Sequence, residues 1–160
     1  MSDDVDDGRH DFDFLHGKWQ ITNQRLKERL TGCQDWLEFP AEMETRPILQ
    51  GLGNYDIMRT TFNRKPFEGL SLRLFSPEAR KWSIYWADSV SAVLQPAVVG
   101  HFQDDTGIFF CDDQHLGQPV RCCFTWSEIT EKTARWEQAF SVDNEQTWET
   151  NWVMLFSRVA

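Results

Sequence analysis

"LSLRLFSPEARKWSIYWAD", Leu70 to Asp88, is the stretch on which the fold turns. Leu70, Leu72 and Leu74 alternate with Ser71 and Arg73, and beyond the break at "SPEAR" the residues Trp82, Ile84 and Trp86 alternate with Ser83 and Tyr85. A period of two with β-branched and aromatic residues describes two strands, and Pro77 with its polar neighbours describes the turn between them. If Ser76 to Arg80 form the loop, Leu74 faces Trp82, Leu72 faces Ile84 and Leu70 faces Trp86. Arg73 then faces Ser83, and Ser71 faces Tyr85. This register makes a hairpin with one apolar and one polar face.

The pattern repeats in both directions. Strands are expected over Lys18 to Lys27, Gln34 to Arg46, Leu49 to Phe62, Phe67 to Phe75, Lys81 to Ala87, Ala92 to Phe102, Gly107 to Asp112, Val120 to Ile129, Thr133 to Val142 and Thr147 to Arg158. About ten strands with short connections and no long amphipathic helical period predict an all-β fold, an antiparallel up-and-down barrel. In "GLGNYD", the glycines ahead of Asn54 and Asp56 predict a bend or bulge. Residues 1–11, dominated by Asp, read as a flexible acidic tail, and Asp11 to Leu15 as a short helical turn plugging one end. A single domain over 12–160 follows.

Composition narrows the function. A formal charge of −9 and the absence of Lys/Arg runs exclude a phosphate-backbone partner, since nucleic acid is held by clustered cations. No apolar run reaches the roughly 20 residues of a membrane helix, and the start "MSDDVDDGRHD" lacks a basic-then-apolar leader, so a cytoplasmic location is expected. Cys33, Cys111, Cys122 and Cys123 show no zinc spacing and read as reduced thiols. Cys122 and Cys123, adjacent on a strand, face opposite ways and make no redox pair.

"FLHGKWQIT", Phe14 to Thr22, and "WVMLFSR", ending at Arg158, bring in a resemblance. A Gly-x-Trp at the first strand with an Arg near the end of the last is similar to lipocalin-like barrels. There the Trp, here Trp19, plugs the closed end and the Arg, here Arg158, stacks on it. With "RPILQGLGNYD", "VVGHF", "FTWSEIT" and "RWEQAFSVDNEQTWETNW", the chain resembles an uncharacterised bacterial family of lipocalin-like, or calycin, barrels, which implies a barrel with an interior site and carries no established reaction. It departs from that pattern at Cys123 and Glu145. "SVDNEQTW", Ser141 to Trp148, also resembles the Asp-box turn of sialidases with Glu145 in the glycine place; one copy indicates a turn, not a glycosidase.

Twelve Phe and eight Trp supply the candidate site. Trp86, Trp126, Trp136 and Trp152, with Trp82 and Phe140, would wall a cavity for a small apolar or amphipathic ligand. Arg73, Tyr85 and Gln138 would be its anion clamp, hydroxyl donor and amide. The bland alternative is that these rings fill the core, because a small barrel is just wide enough for its own side chains. An enzyme of isomerase, lyase or hydratase type would use Tyr85 with Glu137 or Asp88 for proton transfer. Cys111 or Cys122 with His101 or His115 would need to meet in space, and no nucleophile elbow surrounds Ser83 or Ser89. A third alternative is a homodimer formed through an outward apolar face. No cofactor is expected: His101 and His115 offer a haem ligand, but the glycines of haem-binding relatives are missing after Trp19. Nor is a metal site expected, as His10, Asp11, Asp13 and His16 read as solvated polar residues.

Overall fold

The structure, a computed structural model, describes residues 6–159. Ten strands follow one another: β1 (Gly17–Leu26), β2 (Trp36–Ile48), β3 (Gly53–Phe62), β4 (Lys65–Ser76), β5 (Lys81–Asp88), β6 (Val98–Gln103), β7 (Thr106–His115), β8 (Gln118–Ser127), β9 (Thr133–Ser141) and β10 (Glu149–Arg158). Each pairs antiparallel with its sequence neighbours, and β1 pairs with β10 from Trp19↔Arg158 to Arg25↔Trp152, closing the barrel. Closure gives every strand a neighbour on both sides, although β5 meets β6 only from Trp82 to Ile84. No helix among the described residues is long and apolar enough to cross a membrane.

The hairpins are set by local turn chemistry. Asn63 and Arg64, both at positive φ, link β3 to β4 through the two-residue turn that matches strand twist, and Leu116 with Gly117 do the same between β7 and β8. The expected strand at Leu49 starts later, because Leu49–Gly51 form a 3-10 turn with Leu49 and Gln50 at positive φ. The expected strand from Ala92 is likewise shorter, since residues 92–97 are irregular and pairing resumes at Val98.

The β4–β5 register differs from the sequence expectation by one residue. Ser76 pairs with Lys81, so the turn holds four residues, and Arg80, at φ 54°, closes it with its N–H on the Ser76 carbonyl at 2.8 Å. Phe75 therefore faces Trp82, Arg73 faces Ile84, Ser71 faces Trp86, and Leu72 faces Tyr85. A slip of one residue exchanges the faces of a strand. Arg73 and Ser71 consequently share the interior with the tryptophans, whereas Leu70, Leu72 and Leu74 share the outer face with Tyr85.

One end of the barrel is plugged. Asp13–Leu15 form a 3-10 turn, and Phe12 and Leu15 are wholly buried against Trp82, Phe102, Phe109 and Trp126. The Trp19 indole N–H donates to the Leu15 carbonyl at 2.8 Å. The Arg158 guanidinium carbon lies 4.2 Å from the Trp19 ring centre, and its N–H groups donate to the carbonyls of Phe14 and His16. Such a stack contributes about 0.5–2 kcal/mol and ties first strand, last strand and plug together. Residues 6–11 turn over the same end, where the Gly8 carbonyl accepts from the Trp82 indole at 3.0 Å; the start of the expected tail, residues 1–5, lies outside the described residues. The opposite end is rimmed by the β1–β2, β3–β4, β5–β6, β7–β8 and β9–β10 connections.

Candidate functional site

Alternation along each strand decides what enters the barrel. Met43 from β2, Asp56 and Met58 from β3, Ser71 and Arg73 from β4, and Ile84 and Trp86 from β5 point inward. Opposite them stand Cys122, Phe124 and Trp126 from β8, Trp136 and Gln138 from β9, and Trp152, Met154 and Phe156 from β10. Together they surround an interior cavity of about 110 Å³. That space is on the scale of a single aromatic ring, since an apolar cavity of about 150 Å³ holds one benzene. Six of the seven ligand-site residues expected from sequence, Arg73, Trp86, Trp126, Trp136, Gln138 and Trp152, converge on it.

Tyr85 does not join them. It alternates with Ile84 and Trp86, pairs with Leu72, and lies on the outer face. Glu137 is also outside: its neighbours Trp136 and Gln138 line the cavity, and its carboxylate accepts from Arg135 at 3.1 Å. Asp88 is engaged at the barrel rim, where it accepts from the Trp86 indole and from the amides of Val90 and Ser91. The three groups of the enzyme alternative therefore share no cavity.

The rings are held by one another. Trp152 meets Trp136 edge-on at 5.6 Å and Trp86 edge-on at 6.0 Å, while Trp126 packs on Phe156 at 5.2 Å. Trp86 lies across Gly69, where a Cβ would collide with its ring, so this glycine is required for the indole to fold over the cavity. Trp152 donates to Asn23 at 2.9 Å, and Gln138 donates to Asn151 at 2.8 Å. Asn151 sits at the β9–β10 irregularity between Thr150 and Trp152 and is turned inward by it.

Arg73 is the one interior cation in the lining, and its charge is matched inside the wall. Its Nη1 donates to Asp56 at 2.6 Å and to Asn54 at 2.9 Å, with all three side chains buried. Burial pushes the Asp56 carboxyl up, opposed by the Arg73 guanidinium. Asn54 and Asp56, expected from their glycines to sit in a bend, are regular β3 residues whose inward side chains supply this partner. The Arg73 Nε–H and the Trp126 indole N–H, both buried, have no hydrogen-bond acceptor among the described residues. They are two donors in the wall of a mostly apolar cavity to which Ser71, Asp113 and Gln138 add further polar groups.

Two thiols meet in the same wall. Cys111 on β7 lies directly opposite Cys122 on β8, and both face inward. A hydrogen bond from Cys122 holds the Cys111 thiol below its usual range, while that bond and burial push Cys122 up. The pairing was invisible to spacing because it joins residues across a hairpin. His101 is exposed on the outer face of β6, and His115 lies at the rim beside Phe140. No group of three or more His, Cys, Asp or Glu arranged for a metal occurs among the described residues.

The rim also carries residues the sequence reading passed over. The Arg25 guanidinium lies 4.9 Å from the Trp152 ring centre and 5.1 Å from that of Phe62, and the Arg29 guanidinium lies 5.5 Å from that of Phe140. Burial, with Arg25 nearby, pulls Arg29 down to about 10. Both residues line a cleft with Leu37, Phe62 and His115 at the open end.

No protein-family model matches the chain, and no curated protein matches its sequence. Among solved structures, the S-type phycobiliprotein lyase CPES from Guillardia theta superposes with a TM-score of 0.62 at 8% identity, over 93% of this chain and 90% of that one. A redesigned beta barrel, b11L5F_LGL, superposes with a TM-score of 0.51 at 10% identity, over 92% of this chain and 94% of that one. At these identities the likeness is one of fold: a closed antiparallel barrel spanning nearly the whole chain.

Proposed function

We propose that the protein is a lipocalin-like carrier that encloses a small, mostly apolar ligand among Trp86, Trp126, Trp136 and Trp152. The observation that carries this reading is the cavity itself, where an aromatic wall contains two buried N–H donors, Arg73 Nε and Trp126 Nε1, without acceptors among the described residues. A buried donor left unpaired costs about 1–3 kcal/mol, so a ligand oxygen accepting from them recovers that loss. Gln138 adds an amide to the wall, and the mechanism is enclosure and desolvation. The neighbour named as a phycobiliprotein lyase shows an enzyme on such a barrel. In this chain the outward positions of Tyr85 and Glu137 weigh against the proton-transfer alternative. Four free thiols fit a reducing, cytoplasmic setting.

The test is calorimetric titration with 2-naphthylmethanol, a neutral bicyclic probe with one oxygen. Binding of one molecule per chain is expected, lost in Ser71→Leu, which fills the cavity, with the far-ultraviolet circular dichroism preserved. No binding by the parent protein returns the rings to the role of a filled core.

A further inference from the structure

The charges at the open end identify the class of ligand more closely, on the footing of the interior-binding reading above. Seven arginines are buried or half-buried: Arg9, Arg25, Arg29, Arg73, Arg121, Arg135 and Arg158. Five of them donate to a carboxylate or a carbonyl. The side chains of Arg25 and Arg29 form neither an ion pair nor a hydrogen bond with any described residue, and the Arg29 Nη2 is buried without an acceptor among them. In a chain of net charge −9, carboxylates are plentiful, yet the two like charges stand together. Of the acidic groups near them, Asp88 holds the Trp86 indole and two amides, Glu149 accepts from the Leu30 amide at 2.7 Å, and Glu28, on the same cleft, is exposed and forms no ion pair with either arginine.

Half-buried guanidiniums stacked on rings present their N–H edges for planar, bidentate contact with an anion. One of these rings connects the rim to the cavity, since Trp152 lies under Arg25 and also lines the interior. We infer that Arg25 and Arg29 form the anion site of this barrel, and that its ligand is an amphipathic aromatic anion whose ring, bearing an oxygen for the interior donors, enters the cavity while its carboxylate stays at the rim. Arg73, assigned the clamp by sequence, is neutralised by Asp56 and leaves that role to the rim pair.

The experiment compares 6-hydroxy-2-naphthoate with 6-(hydroxymethyl)-2-naphthol on the full-length protein at low ionic strength, by calorimetry, so that both probes offer the interior donors the same ring oxygen. The carboxylate is expected to bind at least tenfold more tightly than the alcohol, with a preference that shrinks as salt is raised. In the double variant Arg25→Gln/Arg29→Gln the preference falls to near unity, and Arg25→Lys/Arg29→Lys restores part of it, which separates charge from packing. Equal affinity of acid and alcohol in the parent overturns the anion site and leaves the interior-binding reading standing, as does a preference that survives the double Gln variant. Failure of both compounds to bind overturns both.

Discussion

The Arg73–Asp56 pair shows how much depends on a single side chain in this wall. A buried ion pair recovers its desolvation only while both partners remain, so removing one leaves an uncompensated charge. Asp56→Asn is therefore expected to cost about 3–5 kcal/mol in urea denaturation. The double substitution Asp56→Leu/Arg73→Met, which removes both charges, is expected to recover most of that loss. If the two variants are equally unstable, the pair acts through packing alone. The sequence placed Arg73 at the site but could not assign its partner, because Asp56 lies in a different strand and follows glycines that favour a bend. Arg25 and Arg29 escape the sequence for a related reason: their meaning rests on the acids near them in space, Asp88, Glu149 and Glu28, making no ion pair with them.

At the scale of the element, the β9–β10 connection was readable in detail. Asp143 accepts from the Thr147 amide at 2.9 Å and from its hydroxyl, while the Ser141 hydroxyl donates to Asp143 and accepts from the Glu145 amide. These bonds reproduce the local pattern expected of "SVDNEQTW". Glu145 occupies the glycine place at φ 66°, and its ion pair with Arg121 at 3.6 Å is partly exposed. Glu145→Gly should raise stability by about 0.5–1 kcal/mol by thermal denaturation, as relief of left-handed strain outweighs a weak surface pair and added chain entropy.

The Asp143 carboxyl is held low, chiefly by the Thr147 hydroxyl. Its contribution is thus fully present above the unfolded carboxylate value of about 3.9 and disappears as pH falls through the lower folded value. Thr147→Val should move the Asp143 titration upward in a nuclear magnetic resonance pH series. On the neighbouring hairpin, Cys111 and Cys122 are directly opposed. Such residues have Cα atoms about 4.5 or 5.5 Å apart, inside the roughly 4.4–6.8 Å that a disulfide spans. Treatment with diamide, which takes up the two thiol hydrogens, should lower the thiols titratable in denaturant from four to two. A count still at four would show that the wall resists this closure.

For the molecule as a whole, the closed sheet makes stability and binding one system. A ligand that binds the folded barrel alone stabilises it by about 2.7 kcal/mol at a hundred times its Kd. Thermal denaturation with 6-hydroxy-2-naphthoate at that ratio should rise accordingly, and the rise should vanish in Ser71→Leu. Closure also explains why the plug matters: Phe12 and Leu15 fill the end that Trp19 and Arg158 tie shut, so the plug and the Arg25 cleft lie at opposite ends of the barrel.

The sequence by itself determined the ten strands, their antiparallel order and the plugged end with its Trp19–Arg158 stack, and it singled out Trp86, Trp126, Trp136, Gln138 and Trp152 without fixing which strand face turns inward. All of these follow from a period of two, from turn residues at the breaks, or from the Gly-x-Trp resemblance. Only the tertiary structure decided the β4–β5 register, the place of Tyr85 and Glu137, the partner of Arg73, the Cys111–Cys122 meeting and the isolation of Arg25 and Arg29. The register turned on one residue: Ser76 paired with Lys81, Arg80 took up the left-handed conformation, and a buried carboxylate on β3 made an inward arginine stable. Periodicity fixes which residues share a face; it does not fix which face meets which across the barrel, because that is decided by partners distant in the chain.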